Sequence, residues 1–359
     1  MRRRQVLAGA AAAAAGMASG FPAPALAQGI RELKMVTDWP AGVPGLQDSA
    51  VRLGNSIEVS SGGRLRIEVF GAGALVRPFE TFDAVGAGVA DMFHSSGTYF
   101  VNKSATSAFF SAVPFGFTAD ELFAWVHHGG GQELWDEAYR PFAIKPLLAS
   151  NTGPQMGGWF NKKVGTPESF KGLKYRMPGL GAEVLRRLGA TVLLLSGGEI
   201  VPALRSGALD ASEWNGPWQD MALGLHRAVH YYYYPGFHEP GSGLFLGVNA
   251  RVWESLGESE RRLIETAAAA EYATALAENN ANNALWLRKL REEGTVEILR
   301  FDDSLLTAFR NVSDEVVAEA GAIDEITRKT YASYQRFREF ILDWSDIAER
   351  AFMNARRPA

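Results

Sequence analysis

Downstream of Gln28 the chain alternates between short runs of β-branched and aromatic residues and longer stretches whose apolar positions recur every three or four residues. Leu33 to Thr37 predicts a strand. Gly45 to Ser60 carries helical spacing, Ser61-Gly62-Gly63 stops it, and Arg64 to Phe70 alternates polar with apolar. Pro78 predicts the opening of a helix that runs to about Gly86, and Ala90 to His94 predicts another strand. A second succession begins after Ser150. Met156 to Phe160, Leu173 to Met177, Val192 to Leu195 and Leu209 to Glu213 read as strands, and Gly181 to Leu188 and Gly198 to Arg205 as helices between them. Such βαβ alternation defines an α/β fold class. Tyr231 to Tyr234, ahead of Pro235-Gly236, reads as a buried strand between lobes.

A short echo links the two halves. Gly88-Val89-Ala90-Asp91 and Gly207-Ala208-Leu209-Asp210 each follow a predicted helix and lead into a predicted strand, 119 residues apart. Together with the repeated alternation it predicts two similar α/β lobes, at residues 28–150 and 151–237, with a cleft between them where a ligand would sit. From Ser255 the pattern turns helical. Glu258 to Glu293 holds no Pro or Gly and ends at Gly294; its 36 residues would span roughly 54 Å, enough to bridge both lobes. Residues 238–302 therefore read as a return to lobe I followed by a long bridging helix. Residues 303–359 read as a C-terminal helical region interrupted near Gly321.

The first 27 residues read as an export signal. Arg2, Arg3 and Arg4 precede an Ala/Gly-rich stretch, and Ala25-Leu26-Ala27 has the small-x-small form of a cleavage site. The arginines followed by Gln5, Val6 and Leu7 are similar to a twin-arginine signal. This stretch is too short and too rich in Ala and Gly to serve as a membrane anchor. Cleavage near Ala27 predicts a periplasmic protein of 332 residues, whose formal charge moves from -4 to -7. That acidic balance argues against nucleic acid as a partner, and it requires a local positive group wherever an anionic ligand binds. The absence of cysteine excludes disulfides, zinc-thiolate sites, iron-sulfur clusters and a cysteine nucleophile.

Other chemistry is poorly represented. Gly71-Ala72-Gly73, Gly86-Ala87-Gly88 and Gly179-Leu180-Gly181 do not complete a dinucleotide fingerprint, and there is no nucleophile elbow, phosphate loop or His-Glu-x-x-His pair. The six histidines are scattered or, at His127-His128, read as the end of a helix.

The segment from Ser169 to Glu213 is more specific. Gly172-Leu173-Lys174-Tyr175-Arg176, then Gly198-Glu199-Ile200, Ala203-Leu204, Gly207-Ala208-Leu209-Asp210 and Glu213, resembles the signature of TRAP-transporter solute-binding proteins, the DctP-like family. Asn151 to Phe160, Glu213-Trp214-Asn215-Gly216-Pro217 and Tyr231 to Gly236 resemble its 2-oxoacid-binding branch. The resemblance implies a two-lobed periplasmic binding protein of type II-like architecture. Such a receptor closes on an organic acid without transforming it and delivers it to membrane subunits driven by a sodium gradient.

Within the branch, the carboxylate-binding arginine falls on Arg176, whose planar guanidinium can grip a carboxylate through two parallel hydrogen bonds. A bound cation, sodium or calcium, is implied beside it, with oxygen ligands falling on Gln155, Glu213, the main-chain carbonyl of Trp214 and Glu239. These hard donors suit such ions. Trp214 and Tyr99 are implied as cleft walls. Two departures stand out. Phe237-His238-Glu239-Pro240 differs from the branch's Trp-Trp-Glu-Gly run, and Asn215 replaces an apolar residue, which would admit a more polar tail than that of pyruvate or 2-oxobutyrate. Lactate-like hydroxy acids and larger polar acids thus stay open as ligands. Some relatives dimerise by exchanging a C-terminal helix, and the apolar residues between Asp324 and Asn354 would suit such a homodimer. Two alternatives share the same cleft: an exported enzyme built on this fold, and a ligand-presenting partner of a sensor kinase.

Overall fold

The computed structural model describes residues 29–356; the export signal and its cleavage near Ala27 lie outside them. Strand β1 (Arg31–Thr37) begins with alternating exposed and buried positions and ends fully buried, as expected of a strand that starts at an edge and runs beneath helices. Helix α1 (Leu46–Ser60) buries Leu46, Ala50, Leu53 and Ile57, one stripe at helical spacing. Gly54 brings it close to the sheet: a Cβ there would lie 3.3 Å from the Ile67 side chain. The predicted stop follows at Gly62 and Gly63, both in the left-handed region.

Strand β2 (Leu65–Phe70) pairs parallel with β1, which pairs parallel with β3 (Met92–Ser96). Helix α2 (Thr81–Gly86) connects them. It starts three residues later than predicted from Pro78. The cause is local: Phe79 sits at φ 67°, with its N–H donated to buried Asp38, so the chain turns before the helix can form. Helices α3 (Ala119–His128) and α4 (Gly131–Tyr139) precede strand β4 (Ile144–Asn151). Strand β10 (Gly243–Asn249) returns late and inserts antiparallel between β3 and β4, giving the order β2-β1-β3-β10-β4.

The second sheet has the order β11-β9-β5-β8-β6-β7. Its strands are β5 (Gly158–Phe160), β6 (Lys174–Arg176), β7 (Thr191–Leu193), β8 (Ala211–Ser212), β9 (Tyr231–Tyr234) and β11 (Glu297–Arg300). Helices α5 (Gly179–Arg187), α6 (Gly197–Ser206) and α7 (Pro217–Leu223) accompany them. Two expectations change here. The tyrosine run is not a strand between lobes: it lies inside the second sheet between β11 and β5, where Tyr232 stacks on Trp159 and Tyr233 on Phe301. Residues 297–300, grouped by sequence with the return to lobe I, form the edge strand of that same sheet because their backbone pairs in parallel with β9.

The Gly-x-x-Asp echo is a repeated clamp. Asp91 donates its N–H to the Lys34 carbonyl and accepts the Lys34 N–H on its carboxylate, at 3.0 and 2.8 Å. Asp210 makes the same two bonds with Lys174, at 2.8 and 2.9 Å. In each lobe the aspartate staples the incoming chain to a neighbouring parallel strand.

After the short α8 (Ala250–Ser255), helix α9 (Glu258–Glu293) crosses both lobes. Ile264, Ala267 and Ala268 join the core of the first sheet, whereas Leu290 joins a cluster with Trp159 and Tyr232 of the second. Helix α10 (Asp303–Ala320) contributes Leu305, Phe309 and Val316 to the core of lobe II. Helix α11 (Glu325–Ser345) turns back and places Tyr334 and Phe337 in the core of lobe I; α12 (Ala351–Ala355) ends the tract. No helix among the described residues is long and apolar enough to cross a membrane.

Candidate functional site

Between the sheets lies a small cavity, lined at once by Tyr99, Gln155, Arg176, Glu213, Trp214, Asn215 and Glu239. All seven residues singled out from the sequence therefore meet there. Trp39, Ser96, Thr98 and Leu244 also line it and were missed. Three of these were findable in principle, because Trp39, Ser96 and Thr98 lie at or just beyond the carboxyl ends of β1 and β3, where open α/β sheets bind ligands.

Strand register places the charged pair. Arg176 at the end of β6 lies opposite Ser212 of the parallel β8, so Glu213 emerges beside it. Both side chains are about 1–2% exposed and form an ion pair. The Arg176 Nε donates to the Leu195 carbonyl at 3.0 Å, and Nη1 donates to the carboxylate and main-chain oxygen of Glu213. Nη2 is buried with no hydrogen-bond partner among the described residues. Burial pulls the guanidinium pKa down, but Glu213, Tyr99 and Glu239 outweigh it, and the net direction is up. Arg176 stays charged. The Trp214 ring lies 5.3 Å from its guanidinium carbon.

Gln155 and Glu239 arrive on the two strands of chain that cross between lobes, and the Gln155 N–H donates to the Glu239 carbonyl at 3.2 Å. The Gln155 side-chain nitrogen faces Glu239 Oε2 at 2.8 Å, Asn215 Oδ1 at 3.0 Å and Thr152 Oγ1 at 3.3 Å. Its oxygen, Oε1, is buried and without a partner among the described residues. Burial and then the charge of Glu213 raise the Glu239 carboxyl pKa to about 7, against the opposing pull of His238, Ser242 and Arg176. His238, which reads in the sequence as one of several scattered histidines, lies with Nε2 3.7 Å from Glu213 Oε2. Among the described residues no group of three or more His, Asp or Glu side chains stands in a metal-holding arrangement. The implied donor set has two carboxylates, an amide oxygen and a main-chain carbonyl, a composition of hard oxygens.

The opposite wall is neutral. Trp39 donates its indole N–H to His94 Nδ1 at 2.9 Å, and burial lowers the His94 pKa to about 3, which leaves the ring neutral and able to accept. Tyr99 packs edge-on to Phe79, with ring centres 4.8 Å apart, and tilted against Trp39 at 6.1 Å.

Two α/β lobes flanking a small cavity with one buried arginine facing a set of oxygen donors define a cleft-binding solute receptor. The family model for bacterial extracellular solute-binding protein, family 7 (DctP), matches residues 36–323, and the chain belongs to that family. It is 36% identical over 321 residues to a monocarboxylate 2-oxoacid-binding periplasmic protein of Nostoc sp., covering 89% of this chain and 88% of the relative. A TRAP periplasmic solute binding protein of Pseudoalteromonas atlantica with bound sodium and pyruvate has a TM-score of 0.88 at 33% identity, over 91% of this chain and 100% of its own. One from Colwellia psychrerythraea, with calcium and pyruvate, has a TM-score of 0.87 at 31% identity, over 91% and 99%. A TRAP transporter solute binding protein of Bordetella bronchiseptica, a mixed-occupancy dimer with copurified calcium and picolinate in one site and the other apo, has a TM-score of 0.89 at 30% identity, over 91% and 97%.

Proposed function

We propose that this protein is the periplasmic receptor of a TRAP transporter and binds a small 2-oxo or 2-hydroxy monocarboxylate together with a cation, without transforming it. One observation carries the reading. The unpartnered Arg176 Nη2 and the unpartnered Gln155 Oε1 belong to residues lining the same cavity, a spare cationic donor and a spare hard acceptor. Burying either without a partner costs about 1–3 kcal/mol, more for a charged group, so each is held ready for something that binds. The pairing of pyruvate with sodium or calcium in the relatives supports the same ligand class.

Arg176 Nη2 would donate to the acid's carboxylate. Because Nε and Nη1 are already committed to Leu195 and Glu213, the guanidinium cannot swing, and the ligand's orientation is set before it arrives. Gln155 Oε1, Glu213, Glu239 and the Trp214 carbonyl would hold sodium or calcium, which when bound offsets the two glutamates and bridges to the acid. Trp39, Trp214 and Tyr99 exclude water from the tail.

After export and cleavage near Ala27, the loaded receptor would deliver the acid to the transporter's membrane subunits. In the C-terminal tract Trp344 and Ile347 are 61% and 74% exposed, with Phe340 and Phe352 similarly open, an apolar face suited to a second copy of the chain. Light scattering of the mature protein should report a dimer; a monomer at high micromolar concentration would remove this part of the reading.

The test of the ligand is thermal unfolding against pyruvate, 2-oxobutyrate and lactate, with and without chelator in sodium-free buffer. Acid at a hundred times its Kd should stabilise the native state by about 2.7 kcal/mol, and removal of metal should abolish the shift. Stabilisation by sugars or amino acids alone would overturn the ligand class, and any chemical change in recovered acid would overturn the receptor reading in favour of an enzyme.

A further inference from the structure

We infer that Asn215 is a positioning residue for the cation site, and that it does not select the tail of the acid. The inference rests on the cation reading above. From the sequence, a polar side chain in place of an apolar one beside the ligand implied a cleft open to more polar acids. The geometry gives Asn215 another task. Its Oδ1 lies 3.0 Å from the Gln155 side-chain nitrogen and accepts a hydrogen bond from it. Its own place is fixed from both sides of the backbone, where its N–H donates to Asp220 Oδ1 at 2.9 Å and its carbonyl accepts the Met156 N–H at 2.9 Å.

The Gln155 amide has two hydrogens and three acceptors around them: Asn215, Glu239 and Thr152. Glu239 would be drawn away by a cation, and Thr152 is the most distant of the three. Asn215 is therefore the partner that keeps the NH2 end of Gln155 occupied when the cation binds, and it directs the buried Oε1 toward the ion. An apolar residue at 215 would leave the amide free to turn over and present N–H groups to the cation. Partners that orient a metal ligand in this way typically change metal affinity by about 10–100-fold.

The experiment is a calorimetric titration of calcium into the mature protein in sodium-free buffer, alone and with saturating pyruvate, for wild type, Asn215→Leu and Asn215→Asp. Unfolding temperature and near-ultraviolet circular dichroism would show that each variant is folded. The leucine variant should lose about tenfold or more in calcium affinity. The aspartate variant keeps an acceptor for Gln155 and should bind calcium at least as tightly as wild type. With calcium saturating, the ratio of affinities for 2-oxobutyrate and a tail-hydroxylated 2-oxoacid should stay within about twofold of wild type in Asn215→Leu. Wild-type calcium affinity in Asn215→Leu, with a shifted acid ratio, would overturn the inference and leave the cation reading standing. Wild-type protein that binds pyruvate but takes no calcium in either titration would overturn both.

Discussion

The two walls of the cleft are built from different chemistry. Lobe II and the crossing segments carry its ionisable groups: Arg176 paired with Glu213, and Glu239 accepting a hydrogen bond from Gln155. Lobe I presents Trp39, Ser96, Thr98, Tyr99 and Leu244, all neutral. The division separates two tasks that a single wall would confuse. Electrostatic recognition needs a rigid, fully desolvated frame, which strand ends in register provide. Exclusion of water needs only a well-fitted surface arriving last, and a neutral wall can close without desolvating a further charge. Lobe II should therefore determine whether an acid binds, and lobe I how tightly the closed state holds it.

The largest effect should come from Arg176. Arg176→Lys keeps a charge but loses the fixed planar donor, and calorimetry should show acid affinity reduced roughly a hundredfold or more with the fold intact. Affinity within a few-fold of wild type would break the division at once. Glu213 comes next. Glu213→Ala leaves the Arg176 guanidinium buried and unpaired, so denaturant unfolding of the unliganded protein should show a loss of about 3–5 kcal/mol. Glu213→Gln, which keeps an oxygen acceptor, should lose less. An alanine variant as stable as wild type would mean that the open protein hydrates this pair freely.

On the other wall, Trp39→Ala should weaken acid binding about tenfold through lost apolar contact, while calcium affinity measured without acid stays unchanged. A fall in calcium affinity would show that the walls are not separable. A separate effect on the same wall is a pH dependence. His94 has a folded pKa near 3 against 6.5 for the free side chain, so the unfolded chain takes up a proton first. The stability contributed by neutral His94 is complete above about pH 6.5 and is lost as the pH falls from there toward 3. His94→Gln retains an oxygen acceptor for the Trp39 indole and should flatten that acid limb in melting temperatures recorded between pH 7 and 4. An unaltered limb would place the acid sensitivity elsewhere.

Much of this was legible in the sequence because its signals were local. Gly62-Gly63 ended a helix, Gly294 ended another, and the motifs around Arg176 and Glu213 sit where parallel strands end together. The neutral wall was harder to read. Trp39 and Leu244 are apolar residues with nothing local to mark them, and only the insertion of β10 beside β3, a contact across 148 residues of sequence, brings Leu244 opposite Ser96. The tyrosine run was misplaced for a related reason: aromatic density reports burial but does not say which sheet does the burying. The hydrogen bond between Asn215 and Gln155 was not legible either, because the two residues are 60 apart in sequence and spacing does not say which neighbour a side chain beside a cavity serves.

The C-terminal half of α9 seats the chain that crosses between the lobes. Its apolar contacts with the cores run from Ile264 to Tyr272 and resume at Trp286 and Leu290, and between them lies Asn279-Asn280-Ala281-Asn282-Asn283, weak helix formers in the interior of a 36-residue helix. Asn279 accepts from Gln219 and donates to the Asn151 carbonyl, and Asn283 accepts the Trp218 N–H. Gly153 and Gly216 lie against the same row, so close that a Cβ on either would lie about 3 Å from Asn280 or Asn283. The crossing chain thus rests on a strip of amides whose hydrogen bonds are made within the protein, with Asn279, Gln219 and Asn151 all buried. A greased seam would hold by shape alone, whereas this one holds by direction, each amide meeting a partner of the crossing chain at one defined place along the helix.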